Sequence, residues 1–281
     1  MRNPNLFAIA GASLAAFAAA PASAANSIPW SSSWDVAIAA ARKSHKLVMI
    51  DFYTDWCVWC KKLDKDTYPD PSVVKAASQF VPLKLNAEKD GKEQAQTYHV
   101  TGYPTIVFVD ADGKMAGELV GYEPAAQFAK DITGIATAER QLPGMLKQMR
   151  DHPEDANTAA RLAAIYAKRS DTETATHYLS VAETGHARGL GTADNAVGDS
   201  FQNAGHYNKA LGYFQQAEVS GKSGYTRAYA HLSAGVCLLN LKRVSEAKAE
   251  LQSVPKLKGV PADLAKMAQN MLTALAKTPP K

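Results

Sequence analysis

The sequence predicts an α/β domain, a central mixed sheet flanked by helices, followed by an all-α array of helical repeats. Three observations carry this. Up to about Gly134, short apolar runs alternate with helical patterns. Beyond it, no convincing strand recurs. In that second half, three segments resemble one another, with Ala175, Ala210 and Ala247 in equivalent places 35 and 37 residues apart. A chain of 281 residues has room for two such units.

The elements follow in order. "SSSWDVAIAAARKSHK" reads as a helix with Ser32 or Ser33 as its N-cap. "KLVMIDFY" (46–53) is a β-rich run without alternation, as in a strand buried on both faces. "CVWCKKLDKDTY" suits a helix that starts at the cysteines. "FVPLKLNAE" (80–88) is a second strand and "KEQAQTYH" a short helix. "TIVFVD" (105–110) is a third strand. Asp112-Gly113 signals a hairpin, and "KMAGELV" returns antiparallel. "EPAAQFAKDI" closes the unit as a helix with Pro124 in its first turn.

In the second half, "ETATHYLSVAE", "NKALGYFQQAE" and "SEAKAELQSVP" carry Leu179, Phe214 and Leu251 four residues after each alanine. Tyr166, Phe201 and Leu238 lie nine residues before it, on an upstream helix. A spacing near 34 with a small residue and a large one four later resembles tetratricopeptide repeats. These residues predict helix packing, not chemistry. A last helix, 261–277, is a candidate cap.

The N-terminus reads as a secretory signal peptide, residues 1–24: Arg2, an apolar core, then Ala22-Ser23-Ala24 as a small-x-small cleavage site. The alternative is a transmembrane anchor, disfavoured by Pro21 and the short run. The expected organisation is a signal peptide, an α/β domain over 25–136 and helical repeats over 137–281. The expected location is the periplasm, an oxidising compartment. A formal charge of +4 with no run of like charges gives no case for nucleic acid. No Gly-rich phosphate loop or serine-nucleophile motif is present, and no cofactor is expected.

Only three cysteines occur, Cys57, Cys60 and Cys237, too few for a disulfide-stapled scaffold. Zinc needs four ligands and finds no second pair here, so no metal is expected. A c-type haem needs histidine after the second cysteine, where Lys61 stands. A static Cys57–Cys60 bridge would close too short a loop to constrain the unfolded chain much. The remaining reading is redox. A cysteine where a strand ends and a helix begins has its thiolate favoured by backbone N–H groups and the helix dipole. On this reading Cys57 is the more exposed and more acidic nucleophile, and Cys60, one turn on, is the resolving thiol.

The segment "VMIDFYTDWCVWCKK" resembles the active-site region of the thioredoxin superfamily. Its Trp-Cys-Val-x-Cys-Lys pattern is especially similar to secreted thioredoxin-like domains such as the C-terminal domain of DsbD. The resemblance runs from Trp30 to Gly134. It implies a thioredoxin-like fold and dithiol–disulfide exchange. It places Asp51 where the family keeps a buried aspartate beneath the cysteines, able to relay the Cys60 proton. It places Lys84 beside that aspartate, either tuning it or standing as an exposed strand lysine. "GYPT" (102–105) matches the loop whose proline, here Pro104, is cis and faces the cysteines, leaving Tyr103 to pair with an extended client. Trp56 is expected to pack beside the site and shield it. Val58-Trp59 replaces the family's Gly-Pro between the cysteines, which leaves the direction of exchange open. Trp59 is either a tuner or a client contact.

The sequence therefore points to a thiol–disulfide oxidoreductase, a reductase or isomerase for disulfides of exported proteins, supplied by a membrane thiol donor. The alternative is an envelope scaffold that binds a protein partner through its repeats, with the cysteine pair secondary or regulatory. Cys237, in "AGVCLLNL", is expected to be a buried core thiol. The seven histidines are expected to form no ligand cluster, with His99 and His206 on the surface or in packing.

Overall fold

The computed structural model describes residues 27–277. The expected signal peptide and its cleavage site lie outside the described residues. Helix α1 (Trp34–Ser44) starts at Ser33, whose hydroxyl accepts the Val36 N–H at 3.4 Å. Strand β1 (Val48–Tyr53) is buried along its length apart from the last residue, which is why it shows no alternation. Helices α2 (Val58–Asp66) and α3 (Pro71–Ala77) follow. Helix α3 was not expected, although Asp70 caps it and Pro71 opens it. Then come β2 (Val81–Asn86), α4 (Lys92–Thr97), β3 (Thr105–Val109) and β4 (Met115–Val120). Gly113, at φ 77°, turns the chain between β3 and β4 where the Asp-Gly pair called for a hairpin.

The sheet order is β2-β1-β3-β4, with β1–β2 parallel and the other two pairs antiparallel. The pleat sorts β1 by parity. Val48, Ile50 and Phe52 join the core under α1 and α4, with Ala37, Ala41 and Ala95. Met49 points the other way, to Leu63 of α2, Tyr68 just beyond that helix, and Phe128 and Ile132 further along the chain. Asp51 shares the face of Met49 and lies opposite Lys84 of β2 in register.

Helix α5 (Ala125–Asp151) is 27 residues long, with Pro124 as its N-cap and Pro143 inside it. The expected domain boundary at 136/137 falls within it. Phe128, Ile132, Ile135 and Ala136 pack in the core of the α/β unit, and Leu142, Met145 and Met149 pack in that of the helical array. Phe128, Ile135, Leu142 and Met149 are spaced by seven, so one apolar stripe serves both cores.

The array pairs α6 (Ala156–Lys168) with α7 (Thr172–Thr184), α8 (Leu190–Asn203) with α9 (Tyr207–Ser220), and α10 (Gly224–Asn240) with α11 (Val244–Ser253). A 3-10 turn and α12 (Ala262–Lys277) close it. Ala175, Ala210 and Ala247 are wholly buried, as are Phe214 and Leu251. Gly198 has no side chain because Phe214 fills the space: a Cβ there would lie 2.7 Å from the Phe214 ring. Phe214→Ala should therefore lower unfolding free energy by about 3–5 kcal/mol. A urea midpoint unchanged from the parent would show that this ring is not the centre of the array.

The two units meet around a cavity of about 530 Å³ lined by Glu118, Glu123, Asp131, Asp199, Lys130 and Tyr229 among others. Burial pushes Asp199 up to about 7 against the Tyr229 hydroxyl, which donates to it at 2.9 Å. Burial and then Asp131 push Glu123 up to about 7. A carboxyl raised this way contributes stability while protonated and loses it as pH rises through its folded value. The melting temperature should thus fall between about pH 5 and pH 8, and Asp199→Asn should flatten part of that fall. An Asp199→Asn profile parallel to the parent's would remove this group from the account.

Candidate active site

The cysteines lie where the sequence placed them, at the β1–α2 junction. Cys57 is the N-cap of α2, in extended conformation, and Cys60 is buried in its first turn. They form a disulfide with Cα atoms 5.3 Å apart. The Cys60 N–H donates to Cys57 Sγ at 3.0 Å. A thiolate at Cys57 would keep that donor and face the positive end of the helix, both of which favour the anion. The expectation that Cys57 is the more exposed does not hold in the disulfide, since both residues are 3% exposed. The difference between them is positional: Cys57 caps the helix from outside, and Cys60 lies inside it.

Around this buried pair stands a rim of large exposed side chains. Trp56 is 63%, Val58 73% and Trp59 56% exposed. Trp56 meets Tyr103 edge-on at 5.9 Å and donates its Nε1 proton to Glu88 at 3.0 Å. Its ring is held between Tyr103 and Glu88, next to Cys57 in sequence. Trp59 lies 5.7 Å from Tyr122, over which Lys62 also sits. The Tyr103–Pro104 peptide is cis, Pro104 is buried, and its carbonyl accepts the Gly121 N–H at 2.8 Å.

Asp51 is 1% exposed. Its Oδ2 accepts from Lys84 Nζ at 2.8 Å, and its Oδ1 is buried without a hydrogen-bond partner. Burial raises its pKa above the ordinary carboxylate value, and Lys84 pulls the other way without prevailing. Lys84 also bonds Asp64 of α2, so the Asp51 carboxylate lies beneath the helix that the cysteines begin. The ammonium sits 5.6, 5.2 and 5.2 Å from the rings of Trp30, Tyr53 and Tyr68. Burial opposes its charge, but Asp51 and Asp64 outweigh burial and hold its pKa above the ordinary lysine value. With its side chain 18% exposed, Lys84 is not an exposed strand lysine.

Asp64, Tyr122, Glu88 and the aromatic cage were not anticipated. Asp64 had a signal, lying four residues after Cys60 on the same helical face. The cage had none, because Trp30, Tyr53 and Tyr68 are scattered along the chain. Cys237 is fully buried, its thiol donates to Gln202 at 3.2 Å, and burial, then Asp199, pushes it up to about 11. His99 and His206 are exposed. One histidine does stand in a group of acidic side chains: His231 Nδ1 lies 2.7 Å from Glu250 and 3.3 Å from Glu218. These residues come from three helices, at separations no linear motif marks.

Residues 34–133 match the family model described as a thioredoxin-like domain. The thiol:disulfide interchange protein DsbD of Vibrio vulnificus strain CMCP6 is 39% identical over 104 residues, 35% of this chain and 18% of that protein. DsbD of Ralstonia nicotianae is 34% identical over 110 residues, 37% of this chain and 18% of that protein. The chain thus spans less than a fifth of the length of these relatives. A thioredoxin from Thermus thermophilus, solved in solution, is 28% identical with a TM-score of 0.38, covering 42% of this chain and 93% of that one. By the family model, the α/β unit with Cys57 and Cys60 at its β1–α2 junction is a thioredoxin-like domain, and a helical region of eight described helices, α5 to α12, follows it.

Proposed function

We propose that the protein is a thiol–disulfide oxidoreductase acting on disulfides of exported proteins in the periplasm, as a reductase or isomerase, after cleavage of its leader behind Ala24. The observation that carries this is the Cys57–Cys60 disulfide at a helix N-terminus, with Cys57 Sγ bonded by the Cys60 N–H and exposed aromatic residues around it. In the reduced protein, the Cys57 thiolate attacks one sulfur of a client disulfide. A mixed disulfide forms and one client thiolate leaves, taking a proton from solvent. Cys60 then loses its proton to Asp51 and attacks Cys57 Sγ, releasing the second client sulfur as thiolate. Two electrons pass from the cysteine pair to the client, so turnover requires a dithiol donor. The donor in this reading is a membrane thiol protein; the relatives' printed name, thiol:disulfide interchange protein, supports the exchange itself. In this reading Lys84 tunes Asp51, and Trp56, Trp59 and Tyr103 with Pro104 form the client surface.

The helix pairs are read as tetratricopeptide-like repeats that select or tether the partner. The competing reading is a scaffold with a secondary cysteine pair. Reduction of insulin by the full chain with dithiothreitol separates the two. Turnover above the background rate is expected of an oxidoreductase; a rate equal to background would leave the scaffold.

A further inference from the structure

The junction of the second and third helix pairs holds a cluster that the redox chemistry does not use. Glu218 near the end of α9, His231 in the middle of α10 and Glu250 near the end of α11 point at one spot, their potential ligand atoms all within 4.8 Å of one another. Their side chains are only 18%, 12% and 19% exposed. The His231 Nδ1 position offers one proton or one lone pair. Glu250 Oε2, at 2.7 Å, is placed to share that single proton. Glu218 Oε1, at 3.3 Å, is buried without a donor of its own, and its carboxyl faces that of Glu250. Two carboxylates thus converge on a nitrogen that can satisfy one. Besides the imidazole, Arg227 is the cation whose charge reaches Glu218.

We propose that Glu218, His231 and Glu250 bind a first-row divalent cation of the zinc type, fastening α9 to the α10–α11 pair. An ion at the shared point takes the Nδ1 lone pair and one oxygen from each carboxylate, and its two charges neutralise theirs. Zinc bonds of about 2.0–2.2 Å put tetrahedral ligands about 3.3 Å apart. The Nδ1–Glu218 separation of 3.3 Å meets that need, and the Nδ1–Glu250 separation of 2.7 Å falls short of it, so the Glu250 carboxylate must draw back by roughly half an ångström. One imidazole with two carboxylates suits zinc or its neighbours better than an all-oxygen ion such as magnesium. Three protein ligands leave a fourth position for water.

The test uses the full chain, chelator-treated and with Cys57–Cys60 held oxidised so that no thiolate there competes. Titration calorimetry with zinc chloride should give one ion per chain. Altering residues that merely support a metal's ligands costs about 10–100-fold in affinity. His231→Gln and Glu218→Gln, which remove ligands, should each weaken binding at least ~100-fold. Anomalous diffraction from zinc-soaked crystals of the parent should place the ion among the three side chains, a readout that does not depend on the variants folding. No binding by the parent, an ion located elsewhere, or equal affinity in folded variants each overturns the proposal.

Discussion

Cys57→Ser should reduce insulin turnover to the uncatalysed rate, whereas Cys60→Ser should halt the reaction midway, with client proteins bonded to Cys57. The two outcomes differ because the sulfurs occupy different places. Cys57 caps α2 and receives the Cys60 N–H, so its thiolate has a donor and the helix end beside it. An alcohol there has far too high a pKa to attack a disulfide. Cys60 lies inside the helix and has Cys57 Sγ as its neighbour, so its loss spares the first attack and removes the release step. Non-reducing gels of extracts from cells that make each variant read both outcomes directly. Abundant trapped partners in Cys57→Ser and few in Cys60→Ser would reverse the roles assigned here. Cys237→Ser should change neither result, because its thiol is fully buried and its pKa is raised.

The second large effect is expected at Asp51. If it accepts the Cys60 proton, Asp51→Asn should slow resolution of the mixed disulfide by about 10²-fold near neutral pH. The deficit should shrink above about pH 9, where a thiol ionises without help. Stability should move the opposite way. The Asp51 carboxyl is raised by burial, so the native state favours its protonated form. That contribution is complete below the unfolded carboxyl value and is lost as pH climbs through the folded one. An amide in its place does not titrate, so the stability advantage of Asp51→Asn should be absent near pH 3 and grow as pH rises. Single-turnover quench experiments and urea midpoints across pH measure the two effects. A resolution rate equal to the parent's at every pH would remove the proton role. A stability difference independent of pH would mean that packing, not ionisation, distinguishes the two side chains.

The local parts of the site were legible because local chemistry determines them. A strand buried on both faces, a cysteine at a helix cap and a second one turn later all follow from neighbours in sequence. Helix α3 escaped notice because seven residues are too few to display an apolar period, and only its Asp70-Pro71 cap announced it. In sequence this helix reads only through "EPAAQFAKDI", with the change of pattern at Gly134, whereas α5 runs on to Asp151 through Pro143. Packing on both cores overrides a glycine cost of about 1 kcal/mol, and the missing Pro143 N–H removes only one rung. The Lys84 cage and the Glu218–His231–Glu250 cluster stayed hidden for a different reason. Each gathers side chains from elements that only the tertiary fold brings together, and their linear spacing carries no period.

Helix α5 also sets how tolerant the protein is to length changes between its two units. No pliant linker separates the disulfide from the helix pairs; residues 136 to 142 are continuous helix. Each residue inserted there would swing the array by about 100° around the helix axis and shift it about 1.5 Å. The stripe that now meets both cores would then face one core and miss the other. An insertion of seven would nearly restore the bearing while moving the array roughly 10 Å away. Whatever the helix pairs hold is thus presented to Cys57 on a fixed heading, much as a key's teeth are indexed to its bow.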